Sequence, residues 1–393
     1  MTDNVSKKEI YLDNSATTPL SEAAKAKIFE AVEIYGNPSS LHSKGQEAEK
    51  LINTAREQIL SCLGVRKRED MLVFTSCGTE ATSMALFGTA FAKKRREASR
   101  ILTTDSEHSS VSKVMDSLGE NGFEIVKIPT VGGVLDMNAL ESALERPVFL
   151  ASFMLVNNET GAVYKVGEAF KRIKERYPDA VTHCDAVQGF MKIPFTPAGL
   201  CADLVTVSGH KLHAPKGVGA LYISGDMIKK KKIVPYILGG GQEKGWRSGT
   251  ENTIGISAFG AAADDIKKRR AEISQHLEEL YGYGCEKLSE LGIRINRPEG
   301  DRASHIINIT IPNIKSETIL HFLSAEGIFI SSGSACSAHS GAPSSALLAF
   351  GVSAKDADSS LRISFSEYNK KEDIDALAAG LSAAISRLVR IKR

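Results

Sequence analysis

Six short apolar runs punctuate the first two-thirds of the chain, at residues 71–75, 101–104, 148–156, 181–184, 204–207 and 218–223. Each gives way to polar or glycine-rich sequence, and helix-length segments separate most of them. A strand that is apolar on both faces must be covered on both. The pattern therefore demands a largely parallel sheet with helices packed on either side. Helix signals fit between the strands. Ser21 can accept from the first turn of a helix over residues 21–35, Glu22 suits its positive end, and Gly36 can stop it. A second helix is expected over residues 46–62, ahead of Gly64.

The last third changes character. Residues 305–311 and 361–365 alternate like half-buried strands, while Ile374, Leu377, Ala378, Leu381, Ile385 and Leu388 form a helical stripe. The expectation is a large domain over residues 14–260 and a smaller α+β domain built from 1–13 and 261–393. The 393 residues carry 49 Lys+Arg against 47 Asp+Glu, a formal charge of +2. That balance argues against direct nucleic-acid binding through a broad basic field. No run reaches the ~20 apolar residues of a membrane span, and residues 1–10 lack a secretory core. Cys62, Cys77, Cys184, Cys201, Cys285 and Cys336 contain no C-x-x-C pair. Neither a disulfide framework nor a zinc ribbon results, and a reducing cytoplasm is the expected compartment.

In such a sheet, ligands bind where loops open just past the strand C-termini. Residues 75–80, Thr-Ser-Cys-Gly-Thr-Glu, turn from a strand into a helix; Gly78 permits close backbone approach and Thr79 adds a hydroxyl, a pairing that suits phosphate. The same composition is common in ordinary strand–turn–helix junctions. The strand at 204–207 runs into Ser208-Gly209-His210-Lys211, and a lysine in a crevice there can become a Schiff-base amine. Asp185 ends the apolar strand 181–184, where a carboxylate needs a cationic partner such as a pyridinium nitrogen. Glu107-His108 and Asn157-Asn158-Glu159 follow other strands, and Arg247-Ser248-Gly249-Thr250 lies after three glycines. His108 taken alone reads more readily as a core histidine. Arg362, within an apolar strand, needs an anion, and a carboxylate matches its fork. Cys336, set among Ser, Gly and Ala, is placed for reactivity rather than packing. His210 with His213, or His183 beside Cys184, lacks the further ligands of a metal site.

Taken together and in order, these motifs, with residues 11–19 (Tyr-Leu-Asp-Asn-Ser-Ala-Thr-Thr-Pro), 36–40 (Gly-Asn-Pro-Ser-Ser) and 331–336 (Ser-Ser-Gly-Ser-Ala-Cys), resemble the cysteine desulfurases of the NifS/IscS type. That family lies within the class V aminotransferases of pyridoxal phosphate (PLP) fold type I, and the resemblance covers roughly residues 10 to 390. It implies an α/β large domain with a mainly parallel seven-stranded sheet, plus a smaller α+β domain bearing the cysteine loop. It implies that Lys211 holds PLP, that Asp185 protonates the ring nitrogen, and that Gln188 bonds the ring hydroxyl. His108 would stack on the ring and assist proton transfer. Gly78, Thr79, Ser208 and His210 would cradle the phosphate, and Thr250 would reach the phosphate of a neighbouring subunit in a homodimer. Asn158 and Arg362 would bind the carboxylate of L-cysteine.

Cys336 would be the nucleophile that takes the substrate sulfur as a persulfide, for delivery to an iron–sulfur scaffold or a tRNA-thiolating acceptor. No resident metal is implied; Cys336 would at most ligate an iron–sulfur cluster transiently. Departures from the family pattern include Cys77 where glycine is usual and Ala214 before Pro215-Lys216-Gly217. A selenocysteine lyase, another enzyme of the same superfamily, and a non-catalytic platform are the alternative readings. The platform has no need of an intact set of Lys211, Asp185, His108, Arg362 and Cys336.

Overall fold

The computed structural model describes residues 9–92, 99–333 and 343–388. Strand β1 (Ile10–Tyr11) comes first, and the large sheet follows as β2 (Met71–Thr75), β3 (Arg100–Thr104), β4 (Glu124–Ile128), β5 (Val148–Met154), β6 (Val181–Asp185), β7 (Leu204–Ser208) and β8 (Gly219–Ile223). Its spatial order is β2-β8-β7-β6-β5-β3-β4. The pairings from β7 through β4 are parallel, while β8 runs antiparallel to both its neighbours. Strands β3, β6, β7 and β8 are buried along their whole length, as two-sided cover requires. The strand missed by the apolar-run reading is β4. Its Glu-Ile-Val-Lys-Ile sequence sits half-exposed at the sheet edge, where charged residues are tolerated.

The helices fill in between. Ser21 caps the helix Glu22–Val32 through its accepted bond from Ala24 N (3.1 Å), but that helix ends at Val32, short of Gly36. The next helix runs Ser43–Cys62. A 38-residue helix, Thr253–Glu290, crosses position 260 and packs on both of these. It leads to β9 (Arg294–Ile295), β10 (Ile306–Thr310), β11 (Ile328–Phe329) and β12 (Ser360–Ser364). Strands β12, β10 and β9 form a second, antiparallel sheet, and β11 pairs with β1. The apolar stripe of the last third becomes the helix Lys371–Arg387, with Ile374, Leu377 and Leu381 buried.

The N-terminal segment matters most for the site. After β1 it runs beside β12: Ser364 N donates to Leu12 O (2.7 Å), Asn14 N to Ser364 O (3.2 Å) and Ser15 N to Ser364 Oγ (2.8 Å). Thr18 N then donates to His210 O (3.0 Å). The chain thus stitches the second sheet to the C-terminal end of β7.

Candidate active site

Parallel register brings the strand ends together. Met154 of β5 lies opposite Asp185 of β6, and Asp185 lies opposite Thr206 of β7. Ser208 of β7 and Thr75 of β2 both face Gly219 of β8. Gly219 has to be glycine. A Cβ there would lie 2.6 Å from the carbonyl carbon of Cys77, so its absence lets the 75–78 turn fold down onto the sheet. Gly78 opens the helix Gly78–Phe91, and a Cβ on it would meet Val187 at 3.0 Å and Ser208 at 3.4 Å. The first turn of a helix is thereby held against β7, with its free N–H groups at the strand end.

At this edge lies a cavity of about 270 Å³. Its walls include Gly78, Thr79, His108, Asn158, Asp185, Gln188, Ser208, His210, Lys211 and Arg362, every sequence-expected cofactor and substrate residue except Thr250. Thr250 lines a separate cavity with Arg247 and Glu243. Cys336 lies outside the described residues. Sequence reasoning missed the part played by Ser15 and Ala16, whose carbonyls accept from Lys211 Nζ at 2.6 and 2.7 Å. The Asp-Asn-Ser-Ala run was visible, but a main-chain acceptor leaves no side-chain signature.

The electrostatics follow from burial. Asp185 is buried and accepts from Val187 N (3.0 Å). Burial pushes its carboxyl up, against the downward pull of that bond, His108 and Lys211. Desolvation pushes His108 down, with Asp185 opposing and Lys211 adding to the fall. His108 caps the helix Ser109–Glu120, its Nδ1 accepting from Ser110 N at 3.1 Å, so it is neither a loose surface group nor simple core filler. His210 is pushed down to about 4, first by burial and then by Lys211, Lys216 and Lys192, and its Nδ1 contacts Thr17 Oγ1 at 3.2 Å. Arg362 donates from Nη1 to Asn158 O (3.0 Å) and from Nη2 to Asp13 Oδ1 (2.7 Å).

The residues raised as metal candidates have other partners. His183 sits inside the sheet between Ser152 Oγ (2.8 Å) and Thr206 Oγ1 (3.0 Å). His213 pairs with Glu367 (3.0 Å) and Pro19 O (2.8 Å). Among the described residues no group of three His, Cys, Asp or Glu is arranged to hold a metal, and no described helix is long and apolar enough to cross a membrane.

PLP fits this cavity on three counts. Ser208 Oγ and Gln188 Oε1 are buried without a hydrogen-bond partner among the described residues, which matches a phosphate oxygen and a ring hydroxyl. Asp185 is a buried carboxylate with no ion pair among the described residues, the setting that a pyridinium N–H satisfies. Lys211 brings an amine to the cavity wall, the type of group through which a protein can hold PLP.

Comparison with known proteins agrees with this constitution. The aminotransferase class-V family model matches residues 10–377. A protein of Trichormus azollae named cysteine desulfurase is 37% identical over 388 residues, covering 96% of this chain and 93% of its own. A solved NifS-like protein superposes with a TM-score of 0.89 at 34% identity, over 97% of this chain and 100% of that one. A second structure, titled SspA in complex with cysteine, gives 0.77 at 31% identity over 92% of this chain and 100% of its own. Sheet order, cavity and matched length lead to one assignment: the chain belongs to the aminotransferase class-V family and has the fold of the PLP fold type I enzymes.

Proposed function

We propose that the protein is a PLP-dependent cysteine desulfurase, taking in L-cysteine, releasing L-alanine and keeping the sulfur as a persulfide on Cys336. One observation carries the reading: a single cavity unites Lys211, Asp185 and the oxygens of Ser208 and Gln188, unpaired among the described residues, with the buried cation Arg362. Relatives named cysteine desulfurase, and a neighbour solved with cysteine, support the choice of substrate.

When bound, PLP supplies an electron sink for the bonds around the amino-acid Cα. Lys211 is the residue that would hold it covalently. Asp185 would accept the ring N–H, and in doing so would regain the charge that burial disfavours. Ser208, His210, Thr79 and the backbone at Gly78 would hold the phosphate, and Gln188 would bond the ring hydroxyl. His108, kept neutral by desolvation, is suited to take and return a proton. Arg362 and Asn158 would bind the substrate carboxylate and fix its orientation.

In the net reaction the Cys336 thiolate forms a bond to the substrate sulfur as the Cβ–S bond breaks. The electron pair left at Cβ takes up a proton and becomes part of the alanine methyl group. Atoms balance as cysteine plus enzyme thiol giving alanine plus enzyme persulfide. An acceptor protein of iron–sulfur assembly or tRNA thiolation then removes the sulfur. The working unit is a cytoplasmic homodimer in which Thr250 completes the neighbour's phosphate site, with a large domain over residues 14–260 and a small one from 1–13 and 261–393. The test measures alanine and sulfide from L-cysteine with reductant. Wild type should produce both and Cys336→Ala neither, with the cofactor spectrum intact. Equal turnover by the variant rejects the reading.

A further inference from the structure

Lys211 also lines a second, smaller cavity of about 40 Å³, shared with Asn14, Lys192, Arg270, His305 and Glu367. Three buried polar atoms of these residues have no hydrogen-bond partner among the described residues: Asn14 Oδ1, Lys192 Nζ and His305 Nε2. Part of Lys192 reaches the surface, but its ammonium is turned away from solvent. His305 is only 2% exposed. Lys192 Nζ itself is buried, so its charge is screened from its neighbours less than it would be in bulk water.

Two lysines thus border one space. Lys211 Nζ has two carbonyl acceptors, Ser15 O and Ala16 O, while Lys192 Nζ has none among the described residues. The charges facing Lys192 are mostly of its own sign. Lys211 and Arg362 oppose its cation, Arg270 lines the same space, and Glu367 favours it. Glu367 is already engaged by His213 (3.0 Å) and Arg269 (3.4 Å). His305 is held neutral by burial, with Lys192 and Arg362 adding to the effect.

We propose that Lys192 is an electrostatic tuning residue for Lys211: its buried cation, bordering the same cavity, disfavours positive charge on the Lys211 nitrogen. Lys192 is a positioning residue in this sense, acting through Lys211 without touching the substrate. Desolvation, the Lys211 charge and the Arg362 charge bring the Lys192 ammonium down to about 7, so its charge is adjustable within the working range. The inference rests on the reading that Lys211 carries PLP, because the tuned charge is that of the Lys211–cofactor linkage.

The experiment follows the absorbance of the holoenzyme against pH for wild type, Lys192→Met and Lys192→Arg. Removing the cation should raise the midpoint of the chromophore by about one pH unit, a tenfold change in proton affinity. Lys192→Arg, which retains the charge, should leave the midpoint at or below the wild-type position. Lys192→Gln gives the same reading as methionine should the latter not hold cofactor. An unmoved midpoint in the neutral variants overturns the proposal, as does an equal rise in the arginine variant, which would assign the effect to packing. A wild-type protein without a borohydride-sensitive chromophore would instead sink the cofactor reading, so the two failures are distinguishable.

Discussion

Nη2 of Arg362 donates to Asp13 Oδ1 at 2.7 Å, tying the last strand of the second sheet to the segment that follows the first strand. Isolated in an apolar strand, Arg362 reads from sequence as a cation awaiting a carboxylate. The fold supplies one from Asp13 and adds the Asn158 carbonyl, yet the buried Nε has no partner among the described residues. Burial still holds the Asp13 carboxyl above its usual range, with Arg362 as the chief counterweight. A guanidinium satisfied on part of its fork is oriented and retains capacity for a second anion.

Arg362→Gln should therefore weaken L-cysteine more than it slows turnover. A charged hydrogen bond contributes about 1.5–3 kcal/mol, so KM should rise by roughly 10- to 100-fold. Steady-state alanine production, normalised to bound cofactor, reads this directly. An unchanged KM would remove Arg362 from the substrate site.

Gly219→Ala tests the turn that frames the phosphate end. Its Cβ would lie 2.6 Å from Cys77 C and 2.9 Å from Gly78 N, both backbone atoms that cannot rotate away. Overpacking of this kind typically costs about 1–3 kcal/mol. The turn should lift from β8, lowering both the melting temperature and the retention of PLP on dialysis. A variant that melts and binds as wild type would mean that the turn is not anchored by this contact.

Most of the sheet was legible because strands buried on both faces must be continuous in apolar residues. Strand β4 was not, since Glu124 and Lys127 at a sheet edge carry no such requirement. Lys211, Asp185 and Ser208 were legible because each sits at or just past a strand's C-terminal end: Asp185 is the last residue of β6, Ser208 the last of β7, and Lys211 lies three residues further on. The carbonyls of Ser15 and Ala16 act through main-chain atoms, so their part leaves no mark in residue identity. The cavity at Lys192 depends on how residues 14, 192, 305 and 367 pack, a tertiary fact with no local pattern.

Glu107 gives a pH prediction with a definite sign. It is buried, and its Oε1 accepts from Thr104 Oγ1 (2.7 Å) and Met154 N (2.9 Å). Its Oε2 has no partner among the described residues. Burial pushes the carboxyl up to about 8, while an unfolded glutamate titrates at about 4.3. Between those values the folded state holds the extra proton, so its contribution is complete in acid and is lost as pH rises through the folded value. Glu107→Gln cannot titrate. Its melting temperature relative to wild type should climb steadily from about pH 5 to about pH 8. A difference that stays flat over that range would show that Glu107 is ionised in the folded protein.

Glu159 offers the last test, on the route by which sulfur leaves the substrate. Ser344 Oγ donates to Glu159 Oε2 at 2.6 Å and accepts from Leu347 N at 3.2 Å, capping the helix Ser345–Phe350. Gly333, at φ +52°, packs on the same carboxylate, since a Cβ there would lie 3.0 Å from Oε2. Glu159 thus touches residues on both sides of the segment that contains Cys336. Its own backbone is fixed, its N–H donating to Asn157 Oδ1 (2.9 Å) and its carbonyl accepting from Asn308 Nδ2 (3.2 Å). Positioning errors of about 1 Å can cost a nucleophile on the order of 100-fold in rate. Glu159→Ala should therefore slow persulfide formation on Cys336 by roughly 10- to 100-fold in single turnover, followed by mass spectrometry. The spectral change of bound PLP on adding cysteine should survive, because Glu159 is not among the residues lining the cofactor cavity. Glu159→Gln keeps an acceptor for Ser344 and should recover much of the rate. A wild-type rate in the alanine variant would mean that these contacts do not govern delivery of the thiol.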